Sequence, residues 1–211
     1  MLIIFTIQAF VTFFTIIDPL GLVPVVIGLT AYQSDVQRRV IITRAVIISA
    51  AIIAFFALVG RFLLDRLGIS LYAFDVAGGA LLFLVAVDML FGRSSGTRET
   101  QAETEEAKTR EDISIFPLAI PMIAGPGTIA TTILYVGLAI PDPLKLLAVA
   151  AAIVTSLLVA WLVMRSSTLI IRLFGRTGIL VLSRILGILL AALAVQFILN
   201  GISMYISGFG K

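Results

Sequence analysis

The chain has 211 residues, of which 60% are hydrophobic and 13% are charged, with a formal net charge of +3. Soluble domains carry about 25% charged residues, so this composition indicates an integral membrane protein. Cysteine and histidine are both absent, which excludes disulfides, histidine-ligated haem, cysteine-held iron–sulfur clusters and the usual zinc sites. Histidine is also the commonest general base. We therefore expect no serine–histidine or zinc–histidine hydrolase, no enzyme of another kind, and neither a cofactor nor a bound metal.

Six apolar segments are long enough to cross a bilayer, which takes about 20 residues. They cover residues 3–29, 40–62, 69–91, 113–137, 144–163 and 178–202. The basic residues are scattered over the loops, so they indicate membrane topology and no nucleic-acid partner. Ten of the 15 lie in the loops after the first, third and fifth segments, four lie on the opposite side, and Arg184 lies within a segment. Because cytoplasmic loops are enriched in Lys and Arg, both termini are expected outside the cytoplasm.

The first segment is interrupted by the sequence Asp-Pro-Leu-Gly-Leu-Val-Pro at residues 18–24, here called the first break. Each proline removes a main-chain donor and clashes with the preceding turn. Non-helical backbone at membrane depth survives only where protein buries it or where it lines a polar cavity. Asp18 is the only acid in either break, and at mid-membrane it must be paired, solvated or protonated. It either binds an ammonium group, Na⁺ or a proton, or it caps nearby main-chain donors, and both roles stay open.

A second break interrupts the fourth segment at residues 117–128, with the sequence Pro-Leu-Ala-Ile-Pro-Met-Ile-Ala-Gly-Pro-Gly-Thr. A half-helix that begins at a break directs unpaired N–H groups and the positive end of its dipole at the cavity. Such an end can bind a carboxylate, and we expect one after Pro24 and another after Gly127. Donor groups together with one acid match an amino-acid zwitterion. The candidate substrate- or ion-binding residues are Asp18, Pro19, Gly21, Pro24, Gly125, Pro126, Gly127 and Thr128.

The two halves of the chain resemble each other when one is shifted by about 107 to 109 residues. The shift places Pro19 on Pro126, Gly78 on Gly187, Gly92 on Gly201 and Asp75 on Arg184. A repeat of three spans is odd, so the second copy must enter the membrane from the opposite side. The sequence therefore predicts an all-α membrane fold of six helices in two inverted three-helix repeats, with discontinuous first and fourth helices. The repeats cover residues 1–92 and 113–211, joined by a polar connector at 93–112.

Four further residues are predicted to have supporting or gating roles: Thr15, Asp75, Thr131 and Arg184. Thr15 belongs to a polar stripe that leads into the first break, and Thr131 lies on the helix that follows the second. Asp75 and Arg184 each lie about a third of the way into spans that enter from opposite faces, which leaves roughly 15 Å of depth between them. A direct salt bridge and separate roles near each mouth both stay open.

The two breaks resemble motifs of the MarC/SnatA family: Asp-Pro-Leu-Gly-x-x-Pro in the first span and Pro-x-Ala-Ile-Pro-x-x-x-Gly-Pro-Gly-Thr-Ile in the fourth. The resemblance covers essentially the whole chain, and the eight candidate binding residues map onto it without gaps. It implies a transporter of small neutral amino acids such as glycine, alanine, serine and threonine in the inner membrane, driven by the proton gradient or the membrane potential. Coupling to Na⁺ and assembly into a homo-oligomer are compatible with the sequence. The competing interpretations are an ion or small-solute channel, a lipid-handling enzyme or flippase, and a structural membrane subunit.

Overall fold

The computed structural model describes residues 2–30, 32–92 and 113–209. All regular structure in these ranges is helical. The predicted connector at 93–112 lies outside the described residues. The helices are α1 (Leu2–Ile17), α2 (Leu22–Leu29), α3 (Asp35–Arg66), α4 (Leu71–Phe91), α5 (Ser114–Ile123), α6 (Pro126–Ala139), α7 (Pro143–Arg165) and α8 (Ser167–Phe209).

Among the described residues, five helical segments are long and apolar enough to cross a membrane, and the count becomes six if a bent pair forms one span. The first of the five, Leu2–Leu29, contains both α1 and α2. The bent pair is α5 and α6, whose axes differ by 52°. The chain is therefore a multi-pass helical membrane protein, as the six apolar segments predict.

The second span is longer than predicted: α3 starts at Asp35, five residues before the expected start at 40. Its start is set by a capping box, a local polar signal that an apolar pattern cannot show. The Gln37 N–H donates to Ser34 Oγ at 3.3 Å, and the Ser34 N–H donates to Gln37 Oε1 at 3.0 Å. These bonds satisfy two main-chain donors that the end of a helix leaves unpaired.

The last span is also longer than predicted, because α8 begins at Ser167 and runs through a kink at Gly175. Gly175 has φ +64° and ψ 173°, a backbone conformation that glycine adopts without steric cost. The helix therefore bends at Gly175 before it continues through the predicted span at 178–202.

The segment α5 is a wide-turned, irregular helix. Phe116 and Ile120 within it have extended backbone angles, and each precedes a proline, which disfavours helical angles for the residue before it. After Ala124 and Gly125 the chain resumes as α6. Most of α6 is buried, so this short helix runs through the centre of the bundle.

The most extensive helix–helix interface is between α4 and α8, which run antiparallel. A β-carbon placed on Gly79 in α4 would lie 2.8 Å from the carbonyl oxygen of Ala194 in α8. A β-carbon placed on Gly187 in α8 would lie 3.2 Å from the carbonyl oxygen of Ala86 in α4. Both glycines are needed because the facing backbone occupies the space a side chain would fill.

A second pair of glycines lies at the two ends of the same interface. Gly92, just after α4, faces Leu180 and Arg184 of α8. Gly201 in α8 faces Tyr72 and Asp75 of α4. The shift of about 108 residues that relates the two halves of the sequence converts each of these contacts into the other, as it does for Gly79 and Gly187. Gly78, which the sequence comparison placed on Gly187, faces Ala130 and Leu134 of α6 instead.

Some of the remaining helix pairs also occur in matched sets. The first span packs on the fifth through α1 and α7, and the second packs on the fourth through α3 with α5 and α6. Likewise α4 packs on α6, while α8 packs on α1 and α2. Not every pair has its match: α1 packs along α6 and α6 along α7, but neither α2 and α5 nor α2 and α3, all of whose residues are described, are packed along each other to a comparable extent.

Candidate functional site

The first break is short in the structure and consists of residues 18–21, between α1 and α2. Asp18 has φ +49°, in the left-handed region that Asp and Asn tolerate better than most residues with a side chain. Its main chain stays bonded on both sides: the Asp18 N–H donates to the carbonyl of Phe14 at 3.0 Å, and the Leu22 N–H donates to the carbonyl of Asp18 at 3.1 Å. The break is therefore a tight turn within one membrane span.

The Asp18 carboxylate is buried and caps this turn. Its Oδ1 accepts a hydrogen bond from the Gly21 N–H at 3.1 Å and another from the Ser183 hydroxyl of α8 at 3.3 Å. The side chain of Asp18 occupies the position that a β-carbon on Gly21 would take, which explains the glycine. The capping role that the sequence left open is thus present, and it ties the first break to α8.

The half-helix expected after Pro24 starts earlier, at Leu22, and Pro24 lies in its first turn. The N–H groups at this start already have acceptors: Gly21 donates to the Asp18 side chain, Leu22 to the Asp18 carbonyl, and Val23 to the Leu20 carbonyl at 3.1 Å. Pro24 has no N–H. The prediction of a donor end after Pro24 was wrong, because the turn satisfies these donors locally.

The second break ends in a helix start of a different kind. Gly125 is extended and precedes α6, Pro126 takes the first helical position, and no side chain caps the end. The Thr128 hydroxyl donates to the Ile123 carbonyl at 2.8 Å. The N–H groups of Gly127 and Thr128 have no acceptor among the described residues. This buried helix start therefore has unpaired donors and the positive end of the dipole.

Two glycines allow the close approaches at the second break. The Pro121 carbonyl oxygen occupies the position of a β-carbon on Gly125. A β-carbon on Gly127 would lie 2.8 Å from Cδ1 of Ile16 and 3.7 Å from Cγ2 of Val85. Ile16 is two residues before Asp18, so the end of α1 and the start of α6 meet in the middle of the bundle.

A cavity of about 10 Å³ remains at this meeting point. Its walls are Ile16, Val85, Pro121, Met122 and residues 125–128. This volume corresponds to about one water molecule, so the site is collapsed in this conformation. A ligand larger than a water molecule would fit only if the helices around the cavity moved apart.

A polar seam runs between α1 and α6 beside the cavity. The hydroxyls of Thr12 and Tyr135 are hydrogen-bonded at 2.9 Å. The Tyr135 ring packs on Phe13 and Phe197 with centroids 5.7 and 5.6 Å away. These contacts close the bundle on the side of the α1 N-terminus.

Two further hydroxyls are placed along the same seam without partners. Thr15 lies on α1 between Thr12 and Ile16, and Thr131 lies on α6 one turn from Gly127 and one turn from Tyr135. Both hydroxyls are buried, and neither has a hydrogen-bond partner among the residues that the structure describes. A buried hydroxyl without a partner is costly, so both are candidates for contact with a transient ligand.

Asp75 and Arg184 do not form a salt bridge. The Asp75 side chain lies against Gly201, whereas the Arg184 guanidinium lies against Gly92 at the other end of the α4–α8 interface. Along α4, residues 75 and 92 are about 25 Å apart at 1.5 Å per residue. Asp75 is fully buried and Arg184 is exposed, so the two charges occupy separate, matched positions near opposite ends of the interface.

Three features of the site depend on tertiary contacts that sequence reasoning missed. These are the donation from Ser183 to Asp18, the bond between Thr12 and Tyr135, and the packing of Ile16 on Gly127. The internal repeat gave one indication that Ser183 is near the site, because it aligns Asp75 with Arg184, the residue that follows Ser183. Within the described residues, no cluster of three or more acidic side chains could hold a metal ion.

The long apolar helices define a multi-pass integral membrane protein with a small buried cavity beside the second break. The chain belongs to the MarC family of integral membrane proteins, whose family model matches residues 3–206.

The chain is similar to several membrane proteins along nearly its whole length. It is 38% identical to a UPF0056 membrane protein of Aquifex aeolicus, over 93% of this chain and 91% of that protein. It is 34% identical to the UPF0056 membrane protein YhcE of Escherichia coli, over 92% of this chain and 89% of that protein. A UPF0056 membrane protein of Archaeoglobus fulgidus is 39% identical, over 94% and 92% of the two chains. No solved structure matches the chain.

Proposed function

We propose that the protein is a secondary transporter of small neutral amino acids, of the glycine, alanine, serine and threonine type, that works by alternating access. The proposed architecture is two inverted repeats of three spans, with discontinuous first and fourth helices. The observation that carries the proposal is the reciprocity of the α4–α8 contacts: Gly79 faces Ala194 as Gly187 faces Ala86.

Reciprocal contacts of this kind are the signature of two-fold symmetry, in which a patch meets a copy of itself. Here the two copies belong to one chain and run antiparallel, as two oppositely inserted repeats would. An axis relating them lies in the membrane plane, which is the arrangement that supports alternating access around a site at mid-membrane. The matched pairing of the other helices supports the same axis.

The difference between the α1–α6 pair and the α2–α5 pair supports the proposal that this conformation is an end state of the transport cycle. A two-fold axis converts the α1–α6 seam into a pair formed by α2 and α5. The first pair is packed and the second is not. One side of the site is therefore closed, and exchange of the two conformations between the repeats would close the other side and open this one.

The second break supports a small zwitterionic substrate. The unpaired N–H groups of Gly127 and Thr128 suit a carboxylate, and the hydroxyls of Thr15 and Thr131 suit further hydrogen bonds. The site lies among glycine and threonine residues, with little room for a large side chain. Asp18, two residues from Ile16 on the facing wall, is the nearest candidate partner for an ammonium group.

A thermal-stabilisation screen tests the substrate class. The purified protein is heated with each of the 20 amino acids in turn, and we expect glycine, alanine, serine or threonine to raise the melting temperature. Gly127→Val should abolish this rise, because its side chain would fill the cavity and cover the free N–H groups. Gly28→Val is the matched control, since a β-carbon on Gly28 meets nothing within 4 Å.

Counterflow in proteoliposomes then separates a carrier from a channel. Unlabelled amino acid inside the vesicles should drive transient accumulation of labelled amino acid from outside. Flux that grows linearly with concentration, without counterflow, would favour the ion or solute channel. Absence of stabilisation and of flux with every small neutral amino acid would contradict the proposed function.

We propose that the protein lies in the inner membrane with both termini outside the cytoplasm. In this orientation the packed α1–α6 seam is the outer gate, and the site is open on the cytoplasmic side. The distribution of Lys and Arg over the loops supports this orientation. Reporter fusions at Lys211 test it: a reporter active only outside the cytoplasm should be active, and a cytoplasmic score would reverse the assignment of the gates.

A further inference from the structure

Asp75 is the least compensated charged group in the described part of the chain. Its side chain is completely buried, and neither carboxylate oxygen accepts or donates a hydrogen bond. Among the described residues it also has no ion-pair partner. Ionised, this carboxylate would be a bare charge inside a membrane bundle, which is energetically costly.

The described residues that pack against Asp75 offer no charge to balance it. Facing α8, its Cβ would lie 3.0 Å from a β-carbon on Gly201. The other helix packed against α4 is α6, whose one titratable residue, Tyr135, faces α1. Tyr72, three residues before Asp75 on α4, and Tyr205 of α8 are titratable, and their rings pack on each other with centroids 5.6 Å apart.

The contrast with Asp18 separates the roles of the two buried acids. Asp18 accepts bonds from the Gly21 N–H and the Ser183 hydroxyl, so its charge is compensated by fixed donors. Asp75 has no such donors. Of the two acids, Asp75 is the one whose charge must be removed or balanced by something that comes and goes.

A proton suits the Asp75 carboxylate better than a metal cation does. Hard cations in proteins take several oxygen ligands, and the described residues hold no group of three or more acidic side chains that could bind a metal ion. A single carboxylate with no other ligand suits a proton, which forms one covalent O–H bond and leaves a neutral group.

We propose that Asp75 carries the coupling proton of the transport cycle, an inference that rests on the proposed function. Asp75 takes the proton from water on the side to which the site is open, and it releases the proton to water on the other side after the conformational exchange. One O–H bond is formed and then broken, and no other bond changes.

The internal repeat indicates where the ionised form finds its donors. The repeat aligns Asp75 with Ser183 or Arg184 of α8. It also aligns Asp18, in the first break, with residues 125–127 in the second break. In the present conformation Ser183 reaches Asp18. When the repeats exchange conformations, the matching contact brings Asp75 to the start of α6, where the N–H groups of Gly127 and Thr128 have no acceptor. The carboxyl group of Asp75 would then be protonated and neutral in one end state, and ionised and hydrogen-bonded in the other.

Asp75→Asn tests the proposal, because asparagine has nearly the same shape and cannot take up or release the proton. In proteoliposomes, uptake driven by an imposed pH gradient should fall to the level measured without a gradient. Counterflow, which needs no net proton movement, should continue. Asp65→Asn is the matched control: Asp65 is an exposed acid near the end of α3, and its variant should keep both activities.

Gradient-driven uptake that persists in Asp75→Asn would overturn the proposal, and so would loss of counterflow in the folded variant, because that would place Asp75 on the substrate path. If the wild-type protein shows no counterflow, the proposed function fails, and infrared spectroscopy still tests the proton site. The wild type and Asp65→Asn should show the carbonyl stretch of a buried, protonated carboxylic acid at neutral pH, and Asp75→Asn should lack it. A wild-type spectrum without that band would contradict the proton assignment.

Discussion

The contact between Gly79 and the backbone of α8 gives a quantitative test of the α4–α8 interface. Gly79→Val would place its β-carbon 2.8 Å from the Ala194 carbonyl oxygen and 2.8 Å from Cγ1 of Ile198, closer than atoms of these types pack. The helices would have to separate, and overpacking of this kind costs about 1–3 kcal/mol. Replacing a mid-helix glycine returns a few tenths of a kcal/mol in helix propensity.

We therefore expect a net loss of about 2 kcal/mol, which for a chain of this size lowers the melting temperature by about 4–8 °C. Loss of helical circular dichroism on heating in detergent measures it. Gly187→Val makes the reciprocal clash with α4 and should have a similar effect, whereas Gly28→Val meets nothing within 4 Å and should change the melting temperature little. If the variants of Gly79 and Gly187 melt no lower than that of Gly28, the proposed close packing of the two repeats is wrong.

Three further predictions concern the breaks and the seam. Tyr135→Phe removes the hydroxyl that bonds Thr12 at 2.9 Å and should cost about 0.5–1.5 kcal/mol by thermal unfolding; an unchanged melting temperature would mean that this bond does not stabilise the closed side. Asp18→Ala should cost about 1–3 kcal/mol, because it unpairs the buried Gly21 N–H and leaves alanine at φ +49°. Asp18→Asn should cost less, because Asn keeps an acceptor and tolerates this backbone, and equal losses would refute the capping role. Thr15→Val and Thr131→Val remove hydroxyls that have no partner, so each should leave stability unchanged or raise it while lowering the rate of counterflow; a loss of stability would show that the hydroxyls have structural partners.

The sequence predicts the spans and the positions of the breaks well, because both depend on local properties. Bilayer thickness sets the length of an apolar segment, and proline bends or breaks a helix when it lies in the helix interior. The structure adds one observation to the repeat: glycines that match under the shift, such as Gly92 and Gly201, face side chains at opposite ends of one interface.

The details of the site could not be predicted from local properties. The donor end expected after Pro24 does not form, because Asp18 folds back onto Gly21 and the carbonyls of the turn accept the next N–H groups. The bond from Ser183 to Asp18 joins residues 165 positions apart, and no pattern within either span indicates it. The early start of α3 at the Ser34 capping box is a polar signal outside the apolar segment.

The most direct test of the account is a pair of distances measured by electron spin resonance in this cysteine-free chain. One pair of spin labels, at Ile3 and Ile140, reports on the α1–α6 side, and the other, at Tyr32 and Ile115, reports on the α2–α5 side; all four residues are exposed. On addition of the amino acid that stabilises the protein most, in proteoliposomes at two pH values, we predict that the first distance lengthens while the second shortens. Distances that stay fixed, or that change in the same direction, would contradict alternating access by two inverted repeats.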